Sequence, residues 1–375
     1  MLQKINKIMI DTNNDKRIVS TLDAGGTNFV FSVLQGNKEI AGPYTFPSYA
    51  DDIDKCLQTI IDGFKLAEKE INQKPDAISF AFPGPADYER GIIGNLPNFK
   101  AFNRGVPLGP MLEEIFKLPI FINNDGNLFA YGEALSGLLP EVNGKLENAG
   151  SMLKHKNLVG VTLGTGFGCG IVLNQELIVG DNSCGAEIHN SLNKFNPNWN
   201  AEESVSTRAI QRVYSERAGI LFDNKLMPKD IFDIAKGNLQ GNAEAAKEAF
   251  RAFGENLGSS IANIVTLVDG LVVIGGGIIA AAELFAPAMY KELNRSYEDF
   301  EGNITNRLSF KVFDVDDSST FETYAKGNVV EYEIPGSRKK IKYDGMPRIG
   351  VGFTKLGASK AISLGAYAYA LQKLS

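Results

Sequence analysis

Residues suited to binding transition metals or forming disulfides are scarce in this chain: 375 residues include 2 histidines and 3 cysteines, and there is 1 tryptophan. Cys56, Cys169 and Cys184 are odd in number and scattered, which argues against a disulfide frame and for reduced thiols, and none has metal-ligand spacing. A basic excess is also missing. With 38 Lys+Arg against 44 Asp+Glu, the formal net charge of −6 argues against a nucleic-acid or anionic-membrane partner. There is no long apolar run at the start either: "MLQKINKIMIDTNNDKR" is read as neither signal peptide nor membrane anchor, and a cytoplasmic location is expected. Low-complexity segments and an interdomain linker are absent too.

What is present suffices for two domains, since 375 residues with 44% hydrophobic content can bury a sizeable core. The stretch "LDAGGTNFVFSVL", residues 22–34, lies between two β-prone runs, so it joins strand to strand as a hairpin. A P-loop or a dinucleotide-binding loop would instead lead into a helix. This stretch has neither a Gly-Lys-Ser/Thr nor a third glycine. Taken alone it is an ordinary Gly-Gly turn or a phosphate loop.

Further on, Ile53, Leu57, Ile60, Ile61, Phe64 and Ile71 fall on one face of a helix over about residues 51–72. "DAISFAFPG" reads as a buried strand, residues 109–117 as a helix, "LPIFIN" as a short strand, and Leu128, Tyr131, Leu135 and Leu138 as a helical stripe. Residues 137–157 read as a polar loop or mobile insertion that includes a solvated His155. At Leu158 the opening pattern begins again. "LVGVTLGTGFGCGIVLNQELIVG" repeats the strand, glycine turn, strand and short third strand of "IVSTLDAGGTNFVFSVLQGNKEIAG", which indicates an internal duplication. A helix over residues 244–268 then feeds the strand "LVVI", the run Gly275–Gly277 and a second helix. Residues 313–347 turn polar and include a surface hairpin around Pro335 and Gly336, and the chain closes on an alanine-rich helix.

Two duplicated domains, each with a glycine hairpin, resemble the actin/hexokinase-like superfamily. Within it the motifs look like the ROK family (repressors, open reading frames, sugar kinases). The resemblance covers nearly the full chain. "LDAGGTN" matches the first phosphate loop, "PGPAD" and "NLPNF" the sugar-cleft stretches, "NNDGN" the catalytic stretch, "LGTGFGCGIV" the second phosphate loop and "VVIGGGI" the adenosine loop. Their order decides for a phosphate loop at residues 22–34. The resemblance implies an α/β fold of two duplicated ribonuclease-H-like domains with an interdomain cleft. The domains would span residues 1–123 plus the helix 358–375, and residues 124–357.

It implies an ATP-dependent hexokinase-type enzyme that phosphorylates the 6-hydroxyl of a hexose or N-acetylhexosamine, with Mg²⁺, and a possible homodimer. By the same carry-over, Asp125 is the general base, with a helix N-cap as its alternative role. Gly84, Asn95, Asn124, Glu187, His189 and Glu202 are the sugar ligands. Asp23, Gly25, Gly26, Thr27, Gly164, Thr165, Gly166, Gly275, Gly276 and Gly277 bind ATP, Asp23 holding Mg²⁺ through water.

Two departures stand out. "GAEIHN" has one residue fewer between Glu and His than the family's Gly-Glu-x-Gly-His. Many members also carry three zinc-binding cysteines between this motif and the next glutamate; here the stretch is "NSLNKFNPNWN", so no structural zinc is expected. Trp199 within it either stacks on a sugar or packs the loop. Two other functions compete: a repressor, disfavoured because only about sixteen residues precede the first strand and no helix-turn-helix fits there, and a sugar sensor with little or no kinase activity.

Overall fold

The computed structural model describes residues 11–84, 86–94, 96, 100–102 and 104–375. The chain divides into two compact units. The first takes in the chain as far as Ser136 together with Val179–Gly185 and Ser359–Ser375; the second comprises Gly137–Ile178 and Ala186–Ala358.

The first unit is built on a five-stranded sheet. β1 (Ile18–Ala24), β2 (Asn28–Gln35) and β3 (Lys38–Pro47) form an antiparallel meander, and β4 (Ala77–Ala81) and, further along, β7 (Ile120–Asn123) add in parallel, giving the order β3-β2-β1-β4-β7. Between β3 and β4 runs α1 (Ile53–Ile71), whose Asp52 side chain caps it by accepting from the Lys55 N–H. Its buried stripe of Cys56, Ile60, Phe64 and Ala67 follows the helical period read from the sequence. Phe64 meets Phe31 of β2 edge to face, with ring centroids 5.1 Å apart. A small ladder of β5 (Ala86–Asp87) with β6 (Ile92–Ile93) and helix α2 (Leu108–Phe116) complete the connection to β7.

Helix α3 (Asp125–Ser136) follows β7 and is buried nearly all round, so its apolar content shows no one-sided stripe. It belongs to the first unit, so the division falls after this helix rather than before it. The physical reason is its packing on the C-terminal helix, residues 358–373. A side chain on Gly132 would run into the Ala361 carbonyl, and one on Gly365 into that of Leu128, so the two backbones approach closely only because both positions are glycine.

The second unit repeats the plan. It opens with α4 (Leu138–Asn148), in a stretch the sequence reading treats as polar loop or insertion. Leu138, Leu139, Val142 and Leu146 form a buried helical face, and Pro140 is tolerated because it lies in the first turn, where no intrahelical N–H is needed. Then β8 (Leu158–Leu163), β9 (Phe167–Leu173) and β10 (Glu176–Ile178) form the second meander. Helices α5 (Thr207–Ala218), α6 (Pro228–Lys236) and α7 (Ala243–Val268) lead to β11 (Leu271–Gly275), which lies parallel to β8. A short 3-10 turn at Gly277–Ala281 precedes α8 (Ala282–Leu293).

After the exposed hairpin of β12 (Ser296–Glu298) and β13 (Ile304–Asn306), β14 (Lys311–Asp314) joins the main sheet, and Asp317 caps α9 (Ser318–Lys326). The polar reading of residues 313–347 thus misses the end of a strand and a helix. It holds for the surface hairpin, β15 (Val329–Glu333) with β16 (Lys340–Asp344). The last strand, β17 (Arg348–Phe353), completes the order β10-β9-β8-β11-β17-β14, and the C-terminal helix is α10 (Ala358–Lys373).

His155 is also unlike its sequence reading. It is 9% exposed rather than solvated, and its Nε2 meets the Tyr324 hydroxyl. Burial, aided by the Arg348 charge, depresses its pKa to about 4. All three cysteines are free; Cys56 and Cys169 are buried and Cys184 is exposed. Among the described residues, no helix is long and apolar enough to cross a membrane.

Candidate active site

In the first unit, Asp23, Ala81 and Asn123 lie in one row across the parallel strands β1, β4 and β7, near their C-terminal ends. That edge is where open α/β sheets present ligand-binding residues. Just beyond Asp23, Gly25, Gly26, Thr27 and Asn28 form an exposed turn closed by the Gly25 N–H donating to the Asn28 carbonyl at 3.0 Å. Ser48 secures it, its hydroxyl donating to the Gly26 carbonyl at 2.6 Å and its N–H to the Thr27 carbonyl. Gly84 follows β4. A side chain there would press on the Tyr88 hydroxyl, itself 2.8 Å from the Phe82 carbonyl that it donates to, and come within 3.8 Å of the Asn124 amide nitrogen. Asn95 lies outside the described residues.

Asn124 and Asp125 divide two roles. Asn124 Oδ1 accepts from the Gly126 N–H at 2.8 Å and from that of Asn127 at 3.4 Å, so Asn124 caps α3. Asp125 is the first residue of the helix and exposed, and its carboxylate accepts from the adjacent Gly126 N–H at 2.9 Å. The alternative role as cap therefore falls to its neighbour. Asn123 braces the start of the helix, its Oδ1 accepting from the Asn124 N–H and from the Asn127 side chain at 3.0 Å. Asn127 is one the sequence reading passed over; its i, i+4 spacing from Asn123 in "NNDGN" was the available signal.

In the second unit, Gly164, Thr165 and Gly166 turn β8 into β9, with the Gly164 N–H donating to the Gly166 carbonyl at 3.1 Å. The Gly164 carbonyl accepts from both the N–H and the hydroxyl of Thr207, another residue the sequence reading did not single out. Gly275 pairs with Thr162 across the sheet, which brings Gly275–Gly277 to the same edge as the hairpin. Gly276 needs to be glycine: its φ is +93°, and a side chain would strike the Leu163 backbone.

Around Gly164 and Gly277 no heavy atom lies within 4 Å of where a side chain would begin. Gly26 in the first unit is open in the same way. Such open, side-chain-free turns fit the approach of phosphate oxygens, and the half-buried Asp23 carboxylate fits a hydrated cation.

Glu187, His189 and Glu202 come together in this unit. His189 Nδ1 lies 2.9 Å from Glu187 Oε2, and the hydrogen bond to that carboxylate raises the imidazole pKa, with Glu202 adding to the effect. The shortened Glu-x-His spacing still turns both side chains to one place because Ala186, before Glu187, takes φ +65° and the 3-10 turn Ile188–Asn190 follows. Glu202 Oε2 accepts from the Phe167 N–H at 3.0 Å, tying it to the second glycine hairpin. Trp199, 36% exposed, carries the Arg212 guanidinium of α5 4.5 Å from its ring centroid.

The model of the ROK family matches residues 19–314. A solved structure of glucokinase from Parabacteroides distasonis ATCC 8503 is 51% identical, covers 97% of this chain and 99% of its own, and superposes with a TM-score of 0.86. Glucokinase from Thermotoga maritima is 27% identical over 75% of this chain and 89% of its own length. The xylose repressor of Caldicellulosiruptor bescii is 24% identical over 77% and 73%. Both the site's layout and its sequence lead to one classification: the chain belongs to the ROK family, with the duplicated α/β fold of the actin-like ATPases.

Proposed function

We propose that the protein is an ATP-dependent sugar kinase of glucokinase type that transfers a phosphoryl group to the 6-hydroxyl of a hexose or N-acetylhexosamine. The observation that carries this reading is the placement of Asp125 at the first position of α3, beside the capping Asn124 and at the same sheet edge as Asp23. Similarity to a glucokinase at 51% identity supports it.

Bound MgATP supplies the phosphoryl group and neutralises charge on it. Gly25, Gly26, Thr27, Gly164, Thr165 and Gly166 offer backbone donors and hydroxyls to phosphate, Gly275–Gly277 receive the adenosine side, and Asp23 holds the hydrated Mg²⁺. Gly84, Asn95, Asn124, Glu187, His189 and Glu202 hold and orient the sugar through its hydroxyls. Asp125 takes the proton of the 6-hydroxyl as the new O–P bond forms and the bond to the departing ADP breaks.

A coupled assay with glucose, fructose, mannose, N-acetylmannosamine and N-acetylglucosamine tests this. The expected result is ATP-dependent turnover of at least one sugar, with its 6-deoxy analogue bound but not turned over. Sugar binding by calorimetry without any turnover would instead identify a regulator, the role that the name of the xylose repressor suggests for that relative.

A further inference from the structure

The ROK resemblance by itself leads to the expectation of a zinc site between His189 and Glu202, against which the donors of this stretch can be held. Its donors do not suit zinc: it contains no cysteine, and His189 Nδ1 is engaged by Glu187. Asn193, 7% exposed, uses its full hydrogen-bonding capacity instead. Its Oδ1 accepts from the N–H groups of Phe195 at 3.0 Å and Asn196 at 3.2 Å; its Nδ2 donates to the Asn200 carbonyl at 3.0 Å and to Ser204 Oγ at 2.7 Å. Asn200 and Ser204 bracket the short 3-10 turn Ala201–Glu203 that carries Glu202, and Asn200 caps that turn. Next to it, Lys194 Nζ lies 2.8 Å from both Glu255 of α7 and Glu292 of α8. The lysine fastens the loop to two helices, and the amide fastens Glu202's turn to the loop.

We propose that Asn193 and Lys194 are positioning residues that together do the work of a structural metal, holding Glu202 where the sugar meets it. The inference rests on the sugar-kinase reading for its kinetic consequence, but not for its structural one. Removing the amide lets the Ala201–Glu203 turn drift, so the effect falls first on sugar recognition and on the Phe167 N–H that donates to Glu202, and reaches the glycine hairpin only through that one bond.

The test uses Asn193→Ala, Lys194→Met and Lys194→Arg in the full chain. Trp199, the sole tryptophan, reports on the loop by fluorescence. Asn193→Ala and Lys194→Met are expected to raise the KM or Kd for sugar about ten-fold, because small displacements of positioning groups are costly. The KM for ATP should rise less than that for sugar, the Phe167 amide should exchange faster, and Lys194→Arg should restore most of the loss. Zinc chelators should change none of these for the wild type, and elemental analysis should find no bound zinc.

Unchanged sugar binding and unchanged Phe167 exchange in a folded Asn193→Ala protein would overturn the proposal. So would one tightly held zinc per chain. If the wild type binds no sugar, the kinase reading fails, and Phe167 exchange with Trp199 emission still decides whether the loop is held as described.

Discussion

The two glycine hairpins sit at equivalent places in the duplicated sheets, yet they are wired differently. The first, Gly25–Asn28, is tied to its own meander, through Ser48 and the pairing of Asn28 with Pro47. The second, Gly164–Gly166, is tied to Thr207 through the Gly164 carbonyl and to Glu202 through the Phe167 N–H. A side chain on Gly26 would meet nothing within 4 Å, whereas one on Gly166 would begin 2.7 Å from Glu202 Oε2. The acids proposed for cation binding and proton transfer, Asp23 and Asp125, belong to the first unit; the charged residues proposed for the sugar, Glu187, His189 and Glu202, belong to the second. Duplication therefore supplied one scaffold twice, and loops outside the repeat made the copies unequal. In the second unit, the hairpin proposed for phosphate and the Glu202 proposed for the sugar share a direct hydrogen bond.

The largest expected effect isolates the first unit. Asp125→Asn should lower kcat by about 10²–10⁴, the usual worth of a general base, while sugar affinity changes little because the amide keeps the shape and Asn124 keeps the cap. Retention of more than about a tenth of wild-type kcat would remove Asp125 from the chemistry.

The next comparison sets Gly26→Val against Gly166→Val. Both should raise the KM for ATP by blocking backbone approach, but only Gly166→Val should also raise that for sugar, since its side chain displaces Glu202. Overpacking of this kind costs about 1–3 kcal/mol. The sequence motif alone assigns Gly166 to phosphate and predicts a selective effect on ATP. Sugar KM values that match in the two variants would show that the link to Glu202 is idle.

A third effect concerns stability of the second unit away from the site. His155 is held neutral in the folded protein, with a pKa of about 4. Between its ordinary value of about 6.5 and about 4 the unfolded chain binds the extra proton, so stability falls as pH drops through that window, by up to about 1.4 kcal/mol per unit. Denaturant titrations of His155→Gln should show a shallower acid limb than the wild type; parallel limbs would mean that His155 titrates normally.

The smallest effect is Ala186→Gly. Ala186 holds φ +65°, which costs an L-residue roughly 1–2 kcal/mol; glycine relieves this but loses about 0.5–1 kcal/mol to its greater freedom in the unfolded chain, so Ala186→Gly should stabilise the protein by about 1 kcal/mol or less and raise Tm slightly. A lower Tm would mean that the methyl group's packing outweighs the strain.

Alternation and helical spacing sufficed to read the two meanders, α1, α7 and the hairpin around Pro335, because one buried face imposes its period on the residues, whereas the terminal helix was legible from its alanine content. The glycine motifs and "NNDGN" could likewise be located, since open turns and helix starts have short local signatures. Helix α4, strand β14 and helix α9 were not legible, because mixed polar composition hides a short buried face that only packing reveals. The burial of His155 depends on Tyr324 and Arg348, far along the chain, and no local pattern encodes that meeting. The same holds for Glu202 meeting Phe167 and for Asn193 joining both ends of Glu202's turn. Which residues could serve was written in their types and order. Which of them touch was decided only when the chain closed, because hydrogen bonds in a buried loop are satisfied by geometry and not by sequence distance.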